Sequence, residues 1–192
     1  MKSVIVIGAG ASGLMAAITA ARKGAQVTIL EAMEKPARKL LMTGNGRCNL
    51  TNLDFSRKDC YRGGDPSFWQ QVYTQFDEKQ TMAFFEEMGL LLQKRGNGVY
   101  PLTDQASSVA DRLLLEVQKL RIKLKCQEKV VRMEQSGGTG RYIPSPGTMM
   151  RMRSSLPVVP DRFLQPDQTA VAMNWQSWQD IRLSGRFRHL SR

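Results

Sequence analysis

The first thirty-one residues alternate apolar runs with small residues in the order of a β-α-β unit. Val4–Ile7 and Val27–Leu30 are short runs rich in β-branched residues, a composition typical of buried strands. A glycine-containing turn at residues 8–13 follows the first run, and an alanine-rich stretch then extends to Ala21. This pattern predicts strand, turn, helix and strand, with Glu31 at the tip of the second strand.

The region from Ser67 to Gln93 has the pattern of two amphipathic helices. Aromatic and aliphatic residues recur there mostly at helical spacing, with acidic residues between them. We predict that the helices meet near Asp77 and that Gly89 ends the second one. The aromatic residues are interpreted as core rather than as a cofactor-binding box.

The last segment with a regular pattern completes one predicted α/β domain over residues 1–135. Val99-Tyr100 predicts a short strand that Pro101 closes, and a helix capped by Thr103 or Asp104 is expected to run to about Leu120. Two further strands are predicted after this helix, at 122–126 and 129–133.

The turn GAGASG at residues 8–13 has the glycine spacing that suits an adenine dinucleotide. Gly8 allows a sharp turn off the strand, Gly10 lets the backbone approach a pyrophosphate, and Gly13 lets the helix pack closely on the sheet. The N–H groups at the helix start then face the phosphates, and Glu31 can accept hydrogen bonds from the adenosine ribose. The alternative, a β-α-β unit without a ligand, is disfavoured by the strand before the turn and the acid after it.

A second polar block, Lys39–Asn52, follows the second predicted strand. Gly44 and Gly46 give it backbone freedom, Arg47 offers a planar fork of donors suited to phosphate, and Asn49 adds a short hydrogen-bonding side chain. A cofactor-binding segment and a surface loop whose asparagines cap turns both fit these residues. The residue types alone leave the two interpretations open.

Two strings together resemble one known family. GAGASG, followed by ARKLLMTGNGRCNLTN, is similar to the BaiN-like flavoproteins, also labelled aminoacetone oxidase family FAD-binding enzymes or NAD(P)/FAD-dependent oxidoreductases. The resemblance covers roughly residues 1–135 and implies a Rossmann-like FAD/NAD(P)-binding fold, a parallel sheet with helices, present here in incomplete form. It also implies that FAD is the cofactor and that the backbone of Val130 contacts the adenine. The candidate cofactor-binding residues are Gly8, Gly10, Ala11, Ser12, Gly13, Glu31, Lys39, Gly46, Arg47, Cys48, Asn49 and Val130.

The same resemblance implies that an intact relative is an FAD-dependent oxidoreductase that exchanges hydride with a small organic substrate. NAD(P)H is the candidate electron donor of such a relative. The family carries a last strand and a substrate domain further along, and this chain shows neither in its pattern. We therefore expect this chain to bind FAD weakly and to be inactive, and no residue in it stands out as catalytic.

The three cysteines, Cys48, Cys60 and Cys126, are odd in number and widely spaced, with no CxxC pair. They predict free thiols in a reducing cytoplasm rather than disulfides or a metal site. Cys48 has no second cysteine nearby in sequence, and we interpret it as a packing or turn residue rather than a redox thiol. No apolar run has the length of a membrane span, and glycines interrupt the N-terminal apolar run too early for a secretory signal.

Composition changes abruptly in the segment that we predict to be an irregular, disordered tail, residues 136–192. Its part from 141 onward has no Lys and no Glu, yet it holds eight Arg and two of the three Trp. We shifted the reading frame so that the third base of each codon joins the first two bases of the next. The genetic code then fixes some of the shifted residues: Met173-Asn174 must give Glu, and Trp175-Gln176 must give Ala. Permitted choices around them spell a Gly-Tyr-Glu-Leu-Ala stretch similar to one in full-length family members. We hypothesise a frameshift between about Ser136 and Pro146, with a genuine but unusual C-terminal arm as the alternative.

The net charge of +11 raises a rival function, nucleic-acid binding. The predicted tail, residues 136–192, contributes almost half of this charge. The sequence also shows no basic helix and no alternation of aromatic and basic residues of the kind that binds single strands. Specific nucleic-acid binding is therefore not expected. A module that binds NAD without flavin is a second rival, because the glycine turn and Glu31 suit either dinucleotide. The oligomeric state is left open.

Overall fold

The computed structural model describes residues 2–55, 66–136 and 139–144, and it describes side chains in 2–55 and 70–131. The strands are β1 (Ser3–Ile7), β2 (Gln26–Leu30), β3 (Thr51–Asn52), β4 (Leu92–Arg95), β5 (Gly98–Pro101), β6 (Lys123–Lys125), β7 (Val130–Ser136) and β8 (Thr139–Pro144). The helices are α1 (Ala11–Arg22), α2 (Arg38–Met42), α3 (Pro66–Gln75), α4 (Glu78–Glu87) and α5 (Ala106–Lys119), with a 3-10 turn at Thr43–Gly46.

A parallel sheet in the order β1-β2-β6 forms the first layer. Val6 lies beside Ile29, and Ile29 lies beside Leu124, so the three strands share one register across the sheet. Parallel strands need a crossover, and α1 supplies it between β1 and β2. The predicted α/β, Rossmann-like fold with a parallel sheet and helices is confirmed.

Helices α1 and α5 cover one face of this sheet. Val6 and Ile29 point into a cluster with Leu14 of α1 and Leu113 of α5, all of them essentially inaccessible to solvent. Ala17 lies in the same cluster with no exposed surface, and its small side chain lets α1 approach the strands closely. The alternate strand residues form a second, smaller cluster on the opposite face, as the period of two in a strand requires.

A second, antiparallel sheet in the order β3-β5-β4 lies apart from the parallel one. It contacts α4 and α5, and it carries the end of the polar block Lys39–Asn52. The sequence predicted only β5 of these three strands, because β3 spans two residues and β4 carries two charged residues, so neither has an alternating apolar pattern.

The two helices predicted between residues 67 and 93 are present as α3 and α4. Asp77 begins α4 with a reciprocal capping box, in which its carboxylate accepts a hydrogen bond from Gln80 N–H and the Gln80 side chain accepts one from Asp77 N–H. Gly89 has a φ of 80° just after the helix, as its predicted role in ending α4 requires. Phe84 and Phe85 are buried, so for these two residues the core interpretation is confirmed.

The predicted cap of α5 is wrong. Gln105 occupies the N-cap position and makes no side-chain capping bond. Asp104 instead adopts a left-handed conformation and pairs with Arg95 of β4, while Thr103 Oγ1 accepts a hydrogen bond from Gln105 N–H at 3.3 Å. The Asp104 carboxylate therefore pairs with Arg95 at the end of β4 and does not cap the start of α5.

The structure adds a strand to the segment predicted to be irregular. β7 runs to Ser136 and pairs with β8 as an antiparallel hairpin. The domain boundary after residue 135 stays a prediction. Residues 145–192 lie outside the described residues, and so does the string on which the frameshift hypothesis rests. Cys60 also lies outside them.

Two further observations concern the described part of the chain. None of its helices combines the length and apolar character needed to span a bilayer. Its His, Cys, Asp and Glu residues form no group of three or more that could hold a metal ion.

An ion pair ties the end of α1 to α5. Arg22 donates to Glu116 Oε1 from Nε at 3.3 Å and from Nη2 at 3.0 Å, and its guanidinium lies 5.1 Å from the centroid of the Phe84 ring. The Glu116 side chain is only 8% exposed, whereas Glu87, which pairs with Arg22 at 3.2 Å, is 66% exposed. Glu116 Oε2 also pairs with Lys119 Nζ at 3.5 Å, so Arg22 is the partner of the Oε1 atom of this buried carboxylate.

We expect Arg22→Met to lower the free energy of unfolding by about 1 to 3 kcal/mol, because it leaves a buried carboxylate short of donors. The measurement is the urea midpoint at unchanged m-value. Glu87→Gln is the matched control and should change stability by less than about 0.5 kcal/mol. Equal midpoints for Arg22→Met and the wild type would contradict the assignment.

Candidate dinucleotide-binding site

The glycine turn leaves β1 with the geometry expected from its sequence. Gly8 has a φ of 92°, which favours glycine, and its N–H donates to the carbonyl of Leu30 at 2.7 Å. Gly10 is the N-cap of α1 in an extended conformation, and Leu14 N–H makes the first helical bond to it at 2.9 Å. Gly13 is buried where the helix meets the sheet. The turn therefore brings the helix start to the carboxyl end of β1.

The peptide of Ala9 is held from both sides. Its N–H donates to Glu31 Oε2 at 2.6 Å, and its carbonyl accepts a hydrogen bond from Ala37 N–H at 2.8 Å. Glu31 Oε1 accepts a second backbone bond, from Met33 N–H at 2.8 Å. The sequence indicated Glu31 as a ribose acceptor and missed this role in fixing the turn. A carboxylate has about four lone-pair sites, so each oxygen keeps capacity for a ribose hydroxyl.

The start of α1 is open to an anion. Ala11 and Ser12 are exposed, and the first turn of the helix holds no acidic residue. The first N–H groups of any α-helix have no partner within the helix and carry its partial positive charge. These features fit a pyrophosphate at this position, because anions are stabilised at helix N-termini.

The second block begins two residues after Ala37, whose N–H donates to the carbonyl of Ala9 in the glycine turn. It comprises most of the short helix α2, the 3-10 turn and β3. Lys39, Gly46 and Asn49 are exposed along it, and Gly46 has a φ of 79°. The structure therefore brings the two predicted parts of the site together without a further element between them.

Arg47 extends from this block over an aromatic ring. Its Nε donates to the carbonyl of Gly44 at 3.3 Å, and its guanidinium lies 5.8 Å from the centroid of the Tyr100 ring. The sequence did not indicate Tyr100 as part of the site, since it is 53 positions away and its own strand is short.

Cys48 is buried directly after Arg47. The residue is 4% exposed, its φ is 58°, and its N–H donates to the carbonyl of Thr43 at 3.0 Å. Burial raises the pKa of its thiol, and a side-chain hydrogen bond with Thr43 partly opposes that rise. These observations agree with a packing and turn residue.

Val130 lies close to the tip of β2. Glu31 N–H donates to the carbonyl of Lys125 at 2.8 Å, and Glu128 N–H donates to the carbonyl of Glu31 at 2.9 Å, so the chain after β6 follows the end of β2. Val130 then packs on the small cluster of Ile5 and Leu30. Cys126 also lies here, and burial together with the negative charge of Glu31 raises the pKa of its thiol.

Asn49 also lines a groove of about 530 Å³ between β3 and the helices α3 and α4. Its apolar lining includes Val72 and Phe76, which are 52% and 40% exposed. This groove had no signal in the sequence, because its walls come from three separate elements.

The glycine turn, the open helix start and the carboxylate at the tip of β2 define a dinucleotide-binding protein of the Rossmann type. The chain belongs to the HI0933-like protein Rossmann domain family, which it matches over residues 2–153. The resemblance to BaiN-like flavoproteins is confirmed, and FAD is the cofactor of this family. The glycine turn alone suits either FAD or NAD, and membership of this family favours FAD over a module that binds NAD without flavin.

Curated relatives match only part of their own length. The chain is 47% identical over 128 residues to the 3-dehydro-bile acid delta(4,6)-reductase of Clostridium scindens, an alignment that covers 65% of this chain and 31% of that protein. It is 29% identical over 127 residues to the ribosomal RNA dihydrouridine synthase of Escherichia coli, covering 66% of this chain and 32% of that one. The chain thus spans about a third of the length of these relatives.

One solved structure illustrates the fold. The 3-ketosteroid-delta4-(5alpha)-dehydrogenase of Rhodococcus jostii RHA1 superposes with a TM-score of 0.58 at 15% identity, covering 82% of this chain and 45% of that one. At this identity the likeness supports the fold alone.

We expect Glu31→Gln to destabilise the glycine turn. An amide has one acceptor oxygen, so one of the two N–H groups of Ala9 and Met33 would face an NH₂ donor. The expected cost is about 1 to 3 kcal/mol of unfolding free energy. Urea unfolding measures it, with the exposed Glu34→Gln as control; a midpoint equal to that of the control would refute the role.

We expect Cys48 to react slowly with iodoacetamide near pH 8. Its raised pKa means that less thiolate is present at this pH than in the unfolded chain, so alkylation should accelerate only at higher pH. Peptide mass spectrometry of folded protein, compared with protein unfolded in urea, gives the rates. Equal rates in the two states would show that the thiol is not buried.

Proposed function

We propose that this chain is the FAD-binding part of a flavin-dependent oxidoreductase. The observation that supports this most directly is the Ala9 peptide held between Glu31 and Ala37 at an open helix start. We propose that Glu31 accepts bonds from the adenosine ribose, that the amides of Ala11–Gly13 face the pyrophosphate, and that Arg47 with its neighbours lies along the cofactor. When bound, the flavin supplies the redox chemistry, and the protein supplies its binding and orientation.

We further propose that the intact protein exchanges hydride with a small organic substrate. The closer of the two relatives described above is named as a reductase of a bile acid derivative, which supports reduction of an organic molecule. The other is named for ribosomal RNA, so the relatives do not define one substrate.

We propose that this chain by itself binds FAD weakly and does not turn over substrate. It spans about a third of its curated relatives. A helix start contributes only about 0.3 to 1 kcal/mol to anion binding in exposed settings, and tight ligand sites bury most of the ligand surface. A yellow cofactor that stays bound through purification would contradict this part of the proposal.

An RNA substrate is the second candidate for the intact protein. The name of the Escherichia coli relative favours it. Retention of RNA that falls steeply between low and high salt, in protein that also binds FAD, would favour this candidate over the first.

We expect Ser12→Asp, at the start of α1, to have opposite effects on the stability of the helix and on dinucleotide binding. The new carboxylate should stabilise α1 by about 0.3 to 1 kcal/mol through the helix dipole. The same charge should weaken ADP and FAD binding at least about tenfold by repelling the pyrophosphate. Titration calorimetry and urea unfolding give the two quantities.

Ser12→Asn is the neutral control of similar shape and should bind ADP as the wild type does. If Ser12→Asp binds ADP and FAD as tightly as Ser12→Asn, the pyrophosphate does not lie at the start of α1.

A further inference from the structure

We propose that Tyr100 is a positioning residue, which fixes the direction in which Arg47 presents its guanidinium to the bound dinucleotide. The proposal rests on the proposed function, because it takes Arg47 as a contact of the cofactor. Tyr100 itself need not touch the cofactor.

The Tyr100 ring is confined on two sides. A Cβ added at Gly98 would lie 2.7 Å from Tyr100 Cε2, so the ring lies directly over that glycine. A Cβ added at Gly44 would lie 3.8 Å from Tyr100 Cε1, so the ring also abuts the turn that carries Arg47. The ring therefore has a defined orientation beneath the guanidinium.

The strand that carries Tyr100 is joined to the Arg47 segment by backbone bonds. Leu50 N–H donates to the carbonyl of Val99 at 2.8 Å, and Thr51 pairs with Val99 in the antiparallel register of β3 and β5. A residue 53 positions from Arg47 is thereby held at a fixed place relative to it. The small antiparallel sheet acts as the support of the polar block.

The arginine itself has few constraints of its own. Its side chain is exposed, and its Nε bond to the Gly44 carbonyl is long at 3.3 Å. A guanidinium within about 6 Å of a ring centroid is attracted to the ring face, which restricts its rotamers before a ligand arrives. A side chain that is ordered in advance loses less freedom on binding an anion.

The first test compares Tyr100→Leu with Tyr100→Phe, using ADP and FAD as probes in titration calorimetry. Tyr100→Leu should bind about two- to fivefold more weakly than the wild type, the range expected for an exposed cation–π contact. Tyr100→Phe keeps the ring and should bind as the wild type does. Arg47→Gln should bind at least as weakly as Tyr100→Leu, and the double variant should bind no more weakly than Arg47→Gln alone.

The second test moves the ring without changing Tyr100. Gly98→Ala places a methyl group 2.7 Å from the ring and must displace it. Gly98 does not have a positive φ, so the backbone tolerates alanine. The substitution should weaken binding in the wild-type background and have no further effect in the Tyr100→Leu background, where no ring is left to displace. If Gly98→Ala weakens binding equally in both backgrounds, its effect does not act through the ring and this part of the proposal fails.

A ligand-free measurement completes the experiment. Phenylglyoxal should modify Arg47 faster in Tyr100→Leu than in the wild type or Tyr100→Phe, as followed by peptide mass spectrometry. Equal rates would overturn the proposal even if no dinucleotide binds.

The outcomes for the two proposals differ. Absence of ADP and FAD binding in the wild type would refute the proposed function, whereas wild-type binding that Arg47→Gln weakens and Tyr100→Leu does not would refute the role of Tyr100 alone. Additive losses in the double variant would also refute it. Weaker binding of both probes places Arg47 on the pyrophosphate, and weaker binding of FAD alone places it on the flavin half; either result supports the positioning role.

Discussion

The candidate site depends on one peptide group, that of Ala9. Its N–H is bound by Glu31 and its carbonyl by the N–H of Ala37, while its side chain has no exposed surface. A peptide fixed at both polar ends cannot rotate, so the direction of the following amides is set before a ligand binds. Such preorganisation matters because amides that must reorient on binding contribute less net free energy.

Each of the two sheets positions a different part of the candidate site. The parallel sheet places the glycine turn and Glu31, since both follow the carboxyl ends of neighbouring strands. The antiparallel sheet sets the block that carries Arg47, through the pairing of β3 with β5. The bond between Ala37 and Ala9 joins the two parts directly, and α5, which packs against the parallel sheet and also contacts β5, joins them through the core.

The parts of the fold that the sequence predicted are those with a local cause. The β-α-β unit and the pair α3 and α4 follow from periodicity, glycine and a capping residue within a few positions. Tyr100 was missed because its contact with Arg47 spans 53 positions and depends on the absence of a Cβ at Gly98. The cap of α5 was wrong because Asp104 has a competing partner in Arg95, which no local pattern reveals.

The two ends of helix α1 have different roles: one end faces the proposed dinucleotide, and the other carries an ion pair that stabilises the fold. Its twelve residues extend about 18 Å, with Ser12 at the end that faces the phosphates and Arg22 at the end that pairs with Glu116. Changes at sites more than about 7 to 10 Å apart with no shared partner usually act additively. A variant at Arg22 should therefore alter binding only through the fraction of folded molecules, whereas a variant at Ser12 acts on the folded state directly. The ion pair that ties α1 to α5 therefore lies at the opposite end of the helix from the glycine turn.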